Sequence, residues 1–243
     1  MMNETVITLD HVSASEGNQV RVDDLSLTVQ RGEAVALVGS HASGKGLTLR
    51  LCAGLEAPES GSVRILGVNP AAASEELLDL RQRVGFVFVK PALINSLSVF
   101  DNVALPLRYH ATFPEAAIQD RVMTRLVECG VEDLRDRFPA GLAMGDARLV
   151  ALARAMAMDA EILLVDEVLF GWDADELVRF RKIVEHYRKQ RTLTVIVTFS
   201  APTGLFAMMD RLVLIRNGRV IADCPPAAAS RVDDPMVRDF VIM

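Results

Sequence analysis

The stretch GSHASGKGL, from Gly39 to Leu47, contains most of a phosphate-binding loop. In such a loop, consecutive backbone N–H groups at a helix N-terminus cradle phosphates, and a lysine reaches the β- and γ-phosphates. Gly39, Gly44 and Lys45 stand at the required spacing. The next residue is normally Ser or Thr, whose hydroxyl holds Mg²⁺, but here it is Gly46. Taken alone, the pattern also fits a glycine turn with a surface lysine.

The segments on either side of this stretch favour a phosphate loop. EAVALVG (33–39) is short and almost wholly apolar, which predicts a strand buried on both faces. LTLRLCAGL (47–55) has a helical pattern, so the order is strand, loop and helix. We expect His41 to be a solvent-facing polar residue rather than a catalytic one. The predicted nucleotide-binding residues are Gly39, Ser40, His41, Ala42, Ser43, Gly44, Lys45, Gly46 and Leu47.

A pair of carboxylates follows a second apolar segment, EILLVDE (161–167). This segment predicts another buried strand, and it ends in Asp166 and Glu167. An NTPase places its magnesium-holding aspartate and its water-activating glutamate at such a strand end. A turn or helix-capping role is the alternative for the pair alone. Together with the loop, the pair predicts a metal ligand at Asp166 and a catalytic group at Glu167.

The remaining segments predict an α/β fold with a phosphate loop in a mixed α/β core. Alternating segments at 6–12 and 19–29 predict an antiparallel β layer, TLTVIVTF (192–199) predicts a third buried strand, and Asn-Gly in RLVLIRNGRVIA (211–222) predicts a hairpin. We expect one domain over 1–243, with a core of 1–98 and 159–243 and an inserted helical subdomain at about 99–158. The tail, 233–243, should form a short helix. Strands 34–38 and 162–165 should lie side by side.

Composition excludes several classes of function. The chain has 243 residues, of which 51% are hydrophobic, and a net charge of -6, so a well-buried core is expected and nucleic acid is not an expected partner. The cysteines, Cys52, Cys129 and Cys224, lie far apart, which favours a reducing cytosol over a disulfide or metal framework. The polar N-terminus does not resemble a signal peptide, and no apolar run reaches the ~18 residues of a membrane span. We therefore expect a cytoplasmic protein that reaches the membrane only through a partner.

Over essentially its whole length, the sequence resembles the ATP-binding subunits of ABC transporters. The Walker A, glutamine-loop, signature, Walker B, D-loop and switch motifs follow in the family's order. They correspond here to GSHASGKGL, GFVFVKPAL, LAMGDARLVALARA, ILLVDE, FGWDA and IVTFS. Residues 90–110 and 233–240 most resemble the ATPases of MCE-type lipid transport systems. The resemblance implies an ABC-type nucleotide-binding domain, the cofactors ATP and Mg²⁺, pairing of two ATPase subunits, and docking on an integral-membrane permease.

The sequence departs from the family where magnesium and the γ-phosphate are usually held. Two residues along a helix correspond to about 200°, so the side chain of Thr48 should face away from position 46 and cannot replace its hydroxyl. No aromatic residue lies at 14–16, where adenine usually stacks. The degenerate positions are Gly46 for the Walker A hydroxyl, Val89 for the glutamine, Ala143 and Met144 for the signature Ser and Gly, and Phe199 for the switch histidine; Leu47 and Val168 replace a second hydroxyl residue and a proline.

These departures predict that hydrolysis is impaired, and the resemblance implies a nucleotide-binding subunit of a transporter with lipid as its cargo. ATP binding should be weak and nearly indifferent to magnesium. The subunit should form a homodimer or a heterodimer with another ATPase and bind its permease at the cytoplasmic face, through the helical subdomain and the cleft after Val89. Two alternatives stay open, which are a working ATPase that uses Lys45, Asp166 and Glu167, and a scaffold that needs no nucleotide.

Overall fold

The computed structural model describes residues 4–71, 76–110, 113–229 and 231–232, with the backbone alone at residue 191. The strands are β1 (Thr5–Glu16), β2 (Gln19–Gln30), β3 (Ala34–Val38), β4 (Ser60–Ile65), β5 (Val84–Val87), β6 (Ile162–Val165), β7 (Thr194–Phe199), β8 (Arg211–Arg216) and β9 (Arg219–Cys224). The α-helices are α1 (Lys45–Cys52), α2 (Glu76–Arg83), α3 (Val99–His110), α4 (Glu115–Cys129), α5 (Met144–Met156), α6 (Ala174–Arg191) and α7 (Pro226–Ala229). The helix predicted at 233–243 lies outside the described residues.

The strands form two sheets, as the sequence predicts. An antiparallel sheet has the order β2-β1-β4, and the alternating pattern of its strands buries one face. A six-stranded sheet has the order β5-β6-β7-β3-β8-β9, in which only β9 pairs antiparallel to its neighbour. Its strands β3, β6 and β7 are buried along their whole length. The predicted α/β fold with an antiparallel β layer is therefore confirmed.

The prediction that 34–38 and 162–165 lie side by side is wrong. Both strands belong to the six-stranded sheet, but β7 lies between them and pairs in parallel with each, with Ala34 opposite Val195 and Ile162 opposite Thr194. The physical reason is that a helical crossover usually places the two parallel strands that it joins next to each other in the sheet. Helix α6 carries the chain from β6 to β7, so β7 takes the place next to β6.

Two hydrophobic cores lie on opposite faces of the six-stranded sheet. Ala34, Ala36 and Val38 of β3 pack into a core shared with α3–α6, whereas Val35 and Leu37 pack into a core shared with α1 and the antiparallel sheet. This alternation is the period of two that a strand imposes on its side chains. The loop after Val38 thus leaves the sheet between two packed layers. No helix in the described parts of the chain combines the length and hydropathy of a membrane span.

Candidate functional site

The phosphate loop joins β3 to α1, and its shape is fixed by contacts with distant parts of the chain. Gly44 has a φ of 98°, and a Cβ there would lie 1.9 Å from the carbonyl oxygen of Arg21, so only glycine fits. The Ser43 carbonyl accepts a hydrogen bond of 2.9 Å from the N–H of Gly218, in the β8–β9 turn. Asn217 and Gly218 both have positive φ in this two-residue turn, as its Asn-Gly sequence predicts.

Lys45 is buried at the floor of the loop, with only 2% of its side chain exposed. Its ammonium group donates to the carbonyl oxygen of Ser40 over 3.0 Å and forms an ion pair of 2.8 Å with Oε1 of Glu167. The lysine that would reach the β- and γ-phosphates is therefore already bound to a carboxylate. A phosphate that enters the loop must compete with Glu167 for Lys45.

The acidic pair lies directly after β6, as predicted. Oδ1 of Asp166 accepts a hydrogen bond of 2.7 Å from the hydroxyl of Thr198, and that hydroxyl accepts one of 2.6 Å from the N–H of Glu167. Oε1 of Glu167 also accepts a hydrogen bond of 2.6 Å from the Ser200 hydroxyl. Burial raises the pKa of Asp166, and the bond from Thr198 and the charge of Lys45 offset this only in part.

A buried arginine holds the turn that carries the acidic pair. Arg148 of α5 donates to the carbonyl oxygens of Asp166 and Glu167, each over 2.8 Å, and to that of Phe170. Its guanidinium lies 4.7 Å from the ring centroid of Trp172. Glu167 has a φ of 47°, a conformation that costs energy for a residue with a side chain. Arg148 therefore stabilises the backbone that aims Glu167 at Lys45.

These groups meet in a cavity of about 360 Å³. Its walls carry three strongly basic side chains and three carboxylates. Of the other predicted loop residues, Gly39 and Ser43 are buried and Ser40 is exposed. The lining residues are Glu16, Arg21, His41, Ala42, Gly44, Lys45, Gly46, Leu47, Arg50, Val89, Asp166 and Glu167. The loop, the acidic pair and two of the degenerate positions are thus brought together in one pocket.

The other degenerate positions lie elsewhere. Phe199 is fully buried, and its ring packs on Phe206 at a centroid distance of 5.1 Å, so it does not line the pocket. Its neighbour Ser200 reaches Glu167 instead. Ala143 is the N-cap of α5, and Met144, 46% exposed, lines a separate cavity. The hydroxyl of Thr48 bonds the carbonyl oxygen of Gly44, which agrees with its predicted direction away from the pocket.

The residues of this pocket do not fit a tightly held magnesium ion. Magnesium takes oxygen ligands in octahedral geometry. Gly46 offers no hydroxyl, the side chain of Val89 is apolar, and the Thr198 hydroxyl is used by Asp166 and Glu167. Glu167 is paired with Lys45. Within the described ranges, no three His, Cys, Asp or Glu residues are arranged to hold a metal. Of the two oxygens of Asp166, Oδ1 is bonded to Thr198, and Oδ2 lies 3.8 Å from the place that a Cβ of residue 46 would take.

Sequence reasoning missed six residues of this site, which are Glu16, Arg21, Arg50, Arg148, Thr198 and Ser200. Arg50 follows Gly46 by four residues on α1, and that spacing places both on one helix face. Thr198, near the end of β7, and Ser200, just after it, flank the position of the switch histidine, so these two hydroxyl residues were a usable signal. Arg148 left no such signal, because its contacts join α5 to a turn that is distant in sequence.

The comparisons with known proteins agree with this geometry. A family profile described as ABC transporter matches residues 22–169. The chain belongs to the ABC transporter family. The chain is 31% identical over 237 residues to the intermembrane phospholipid transport system ATP-binding protein MlaF of Escherichia coli (strain K12), and the match covers 97% of this chain and 88% of MlaF. These similarities show that it is an ATP-binding subunit.

Other ATP-binding proteins of the family are similar as well. The methionine import ATP-binding protein MetN 1 of Rhodopseudomonas palustris is 35% identical over 210 residues, which are 86% of this chain and 56% of MetN 1, so the chain spans just over half of that relative. The structure of cbiO1 from Clostridium perfringens superposes with a TM-score of 0.80 at 23% identity, over 94% of this chain and 91% of that one. The ADP- and phosphate-bound MJ0796 dimer gives 0.84 at 24% identity, over 90% and 98%. These structures show the shared ABC ATPase fold.

Proposed function

We propose that this ABC subunit binds ATP at its phosphate loop and hydrolyses it at a rate near background. The observation that carries the proposal is the wall formed by Gly46 and Val89 beside Asp166, which offers no side-chain oxygen where the family holds magnesium and the attacking water. The loop backbone and Lys45, which bind phosphates without a metal, are intact. In this proposal, the pocket keeps the groups that bind ATP and lacks groups that are needed to hydrolyse it.

Magnitudes support this separation. A hydrogen bond to a charged group contributes roughly 1.5–3 kcal/mol, so loss of one or two contacts weakens binding without abolishing it. Removal of one electrostatic contact to a reacting group costs about 10²–10³ in rate. Losses within one catalytic unit do not add simply. Even so, a site without the hydroxyl, the glutamine and the histidine is left with little catalytic power.

We propose that the subunit acts at the cytoplasmic face of a membrane by docking on a permease. A groove of about 380 Å³ lies between α2 and β5 on one side and α3 and α5 on the other. Its walls include the apolar side chains of Phe86, Leu105 and Tyr109, and the basic side chains of Arg81 and Arg154. An amphipathic permease helix with acidic residues would complement them. In this proposal, α3–α5 form the helical subdomain of 99–158, and the similarity to MlaF favours lipid as cargo.

The proposed subunit works as a pair, either with itself or with another ATPase. The similar MJ0796 structure is a dimer. In a head-to-tail pair, the N-terminus of α5 would face the phosphate loop of the other subunit. Ala143 and Met144 would then remove a hydroxyl and add bulk there. A heterodimer would consequently have two weakened sites rather than one good and one poor site.

Restoration of the missing groups tests the proposal. The variant Gly46→Ser/Val89→Gln/Ala143→Ser/Met144→Gly leaves the buried Phe199 in place and should turn over ATP well above the natural chain, as followed by phosphate release. Its control is the same variant with Glu167→Gln, which should return the rate to background. If the restored chain is no faster than the natural one, the missing groups do not explain the impairment. Loss of folding is detected by thermal unfolding of each variant.

A scaffold that needs no nucleotide is the alternative function that one contact in the site favours. The ion pair between Lys45 and Glu167 occupies the ammonium group that would otherwise bind a phosphate. A Lys45→Ala chain that still captures its permease as well as the natural chain, with or without ATP, would favour the scaffold. A working ATPase, the other alternative, predicts turnover that Glu167→Gln abolishes.

A further inference from the structure

A cation and an anion flank the empty side of Gly46. A Cβ added to Gly46 would lie 3.8 Å from Nη1 of Arg50 and 3.8 Å from Oδ2 of Asp166. Arg50 lies one helical turn along α1 and lines the same pocket as Lys45. The place of the family's metal-holding hydroxyl is thus bordered by a guanidinium group.

The guanidinium of Arg50 is oriented by its other two nitrogens. Nη2 forms an ion pair of 2.6 Å with Oε1 of Glu16, and Nε lies 3.5 Å from Oε1 of Glu56. Nη1 is the nitrogen that faces position 46. With Glu16 and Glu56 on its other nitrogens, the guanidinium presents Nη1 to position 46 and lines the pocket.

From this geometry we infer that Arg50 takes the place of magnesium, so that the ligand of this pocket is a metal-free nucleoside triphosphate. The inference rests on the proposed function, since it assumes that the phosphate loop binds ATP. In family sites the metal neutralises and bridges phosphate oxygens. A guanidinium is a permanent cation whose planar donors suit phosphate oxygens. Lys45 and Arg50 line the same pocket, so phosphates that enter it meet two cations.

The same arrangement disfavours the metal. An ion held by Asp166 would lie near the guanidinium of Arg50, and the two positive charges would repel each other. The metal would also lack the hydroxyl ligand at position 46. Magnesium should therefore add little to the affinity for ATP, in contrast to a site in which metal and nucleotide bind together.

Calorimetric titration of the full chain tests the inference, with ATP plus MgCl₂ in one series and ATP plus EDTA in the other. We expect the two dissociation constants of the natural chain to agree within about threefold. Arg50→Met should weaken binding about tenfold or more in both series, because one charge-assisted contact is lost. Arg50→Gln, which keeps a donor for Glu16, should show the same loss and serves if Arg50→Met does not fold.

Arg64→Met is the matched control, since it removes one positive charge from an exposed residue of β4, outside the pocket. It should bind ATP as the natural chain does. A magnesium gain of about tenfold, or an Arg50 variant with natural affinity, overturns the role of Arg50 and leaves the proposed function standing. A chain that binds no ATP in either series contradicts both. Rapid hydrolysis contradicts the proposed function alone.

Discussion

Two features of single residues set the chemistry of the pocket. Gly46 leaves Asp166 and Arg50 facing each other across an open space, and Lys45 is engaged by Glu167. The missing side chain at position 46 affects magnesium binding, and the ion pair of Lys45 affects phosphate binding. Each can be changed separately, because a side chain fits at position 46 and because Glu167 has a neutral isostere.

Gly46→Ser should make ATP binding depend on magnesium. The added Cβ meets no atom closer than 3.8 Å, and the hydroxyl lies beside Asp166, where it can complete a pair of oxygen ligands. We expect magnesium to tighten ATP binding to this variant several-fold, as measured by calorimetry with and without EDTA. Gly46→Ala is the control, since it fills the same space without an oxygen. Equal magnesium effects in the two variants would contradict the prediction.

Glu167→Gln should tighten ATP binding by removing the competitor for Lys45. The ion pair is 2.8 Å long and largely buried, so its loss frees a desolvated ammonium group for the phosphates. We expect an affinity about threefold or more above that of the natural chain, measured with a fluorescent ATP analogue. Asp120→Asn, a change at an exposed acid of α4, should have no effect. Weaker binding to Glu167→Gln would show that the pair does not compete.

At the scale of elements, the helices around the site differ in how they begin. Helix α6 starts with a complete capping box, in which Asp173 and Glu176 each bond the other's backbone N–H. Helix α5 has Ala143 at its N-cap, and an alanine side chain cannot accept a hydrogen bond there. The next-but-one residue, Gly145, is closely packed, because a Cβ there would lie 1.9 Å from Oε1 of Glu176. The degenerate signature thus carries a cost in local stability.

Ala143→Ser should stabilise the fold by about 0.5–1 kcal/mol, since a serine N-cap accepts a hydrogen bond from the first turn of the helix. The measurement is urea unfolding of the natural and variant chains. Asp173→Ala is the companion change, and removal of that cap should cost about 0.5–2 kcal/mol. If Ala143→Ser leaves the free energy of unfolding unchanged, the uncapped helix start is not a source of instability.

The elements also show how far the sequence could be interpreted. Strands β3, β6 and β7 and the β8–β9 hairpin were predicted from apolar runs and from Asn-Gly, because these signals are local. The order of the sheet was not, since the position of β7 depends on how α6 packs. The direction of Phe199 into the core was missed for the same reason: which face of β7 meets the pocket depends on its neighbours in the sheet. Arg50 could have been found from its spacing to Gly46.

At the scale of the whole molecule, two cores bury two of the three cysteines. Cys52 lies in the core shared with the antiparallel sheet and Cys129 in the core shared with the helices. Burial raises the pKa of each thiol to about 12. Cys224, on β9, is only partly buried, and burial raises its thiol pKa less.

Thiol labelling therefore reports on both cores. At pH 8 the native chain should react with a maleimide at Cys224, while Cys52 and Cys129 stay protonated and inaccessible. In urea all three should react, and peptide mass spectrometry identifies the modified residues. Reaction of Cys52 or Cys129 at the rate of Cys224 in the native chain would show that the corresponding core opens readily.

We propose that this chain keeps the ABC ATPase fold of its family without hydrolysing ATP at an enzymatic rate. The decisive experiment is steady-state phosphate release by the purified chain with ATP and MgCl₂, with the Glu167→Gln chain measured beside it. We expect the two rates to be indistinguishable and far below about 1 s⁻¹, a rate in the usual range of enzymes. A natural chain that releases phosphate at about 1 s⁻¹ or faster, with the rate lost in Glu167→Gln, would contradict it.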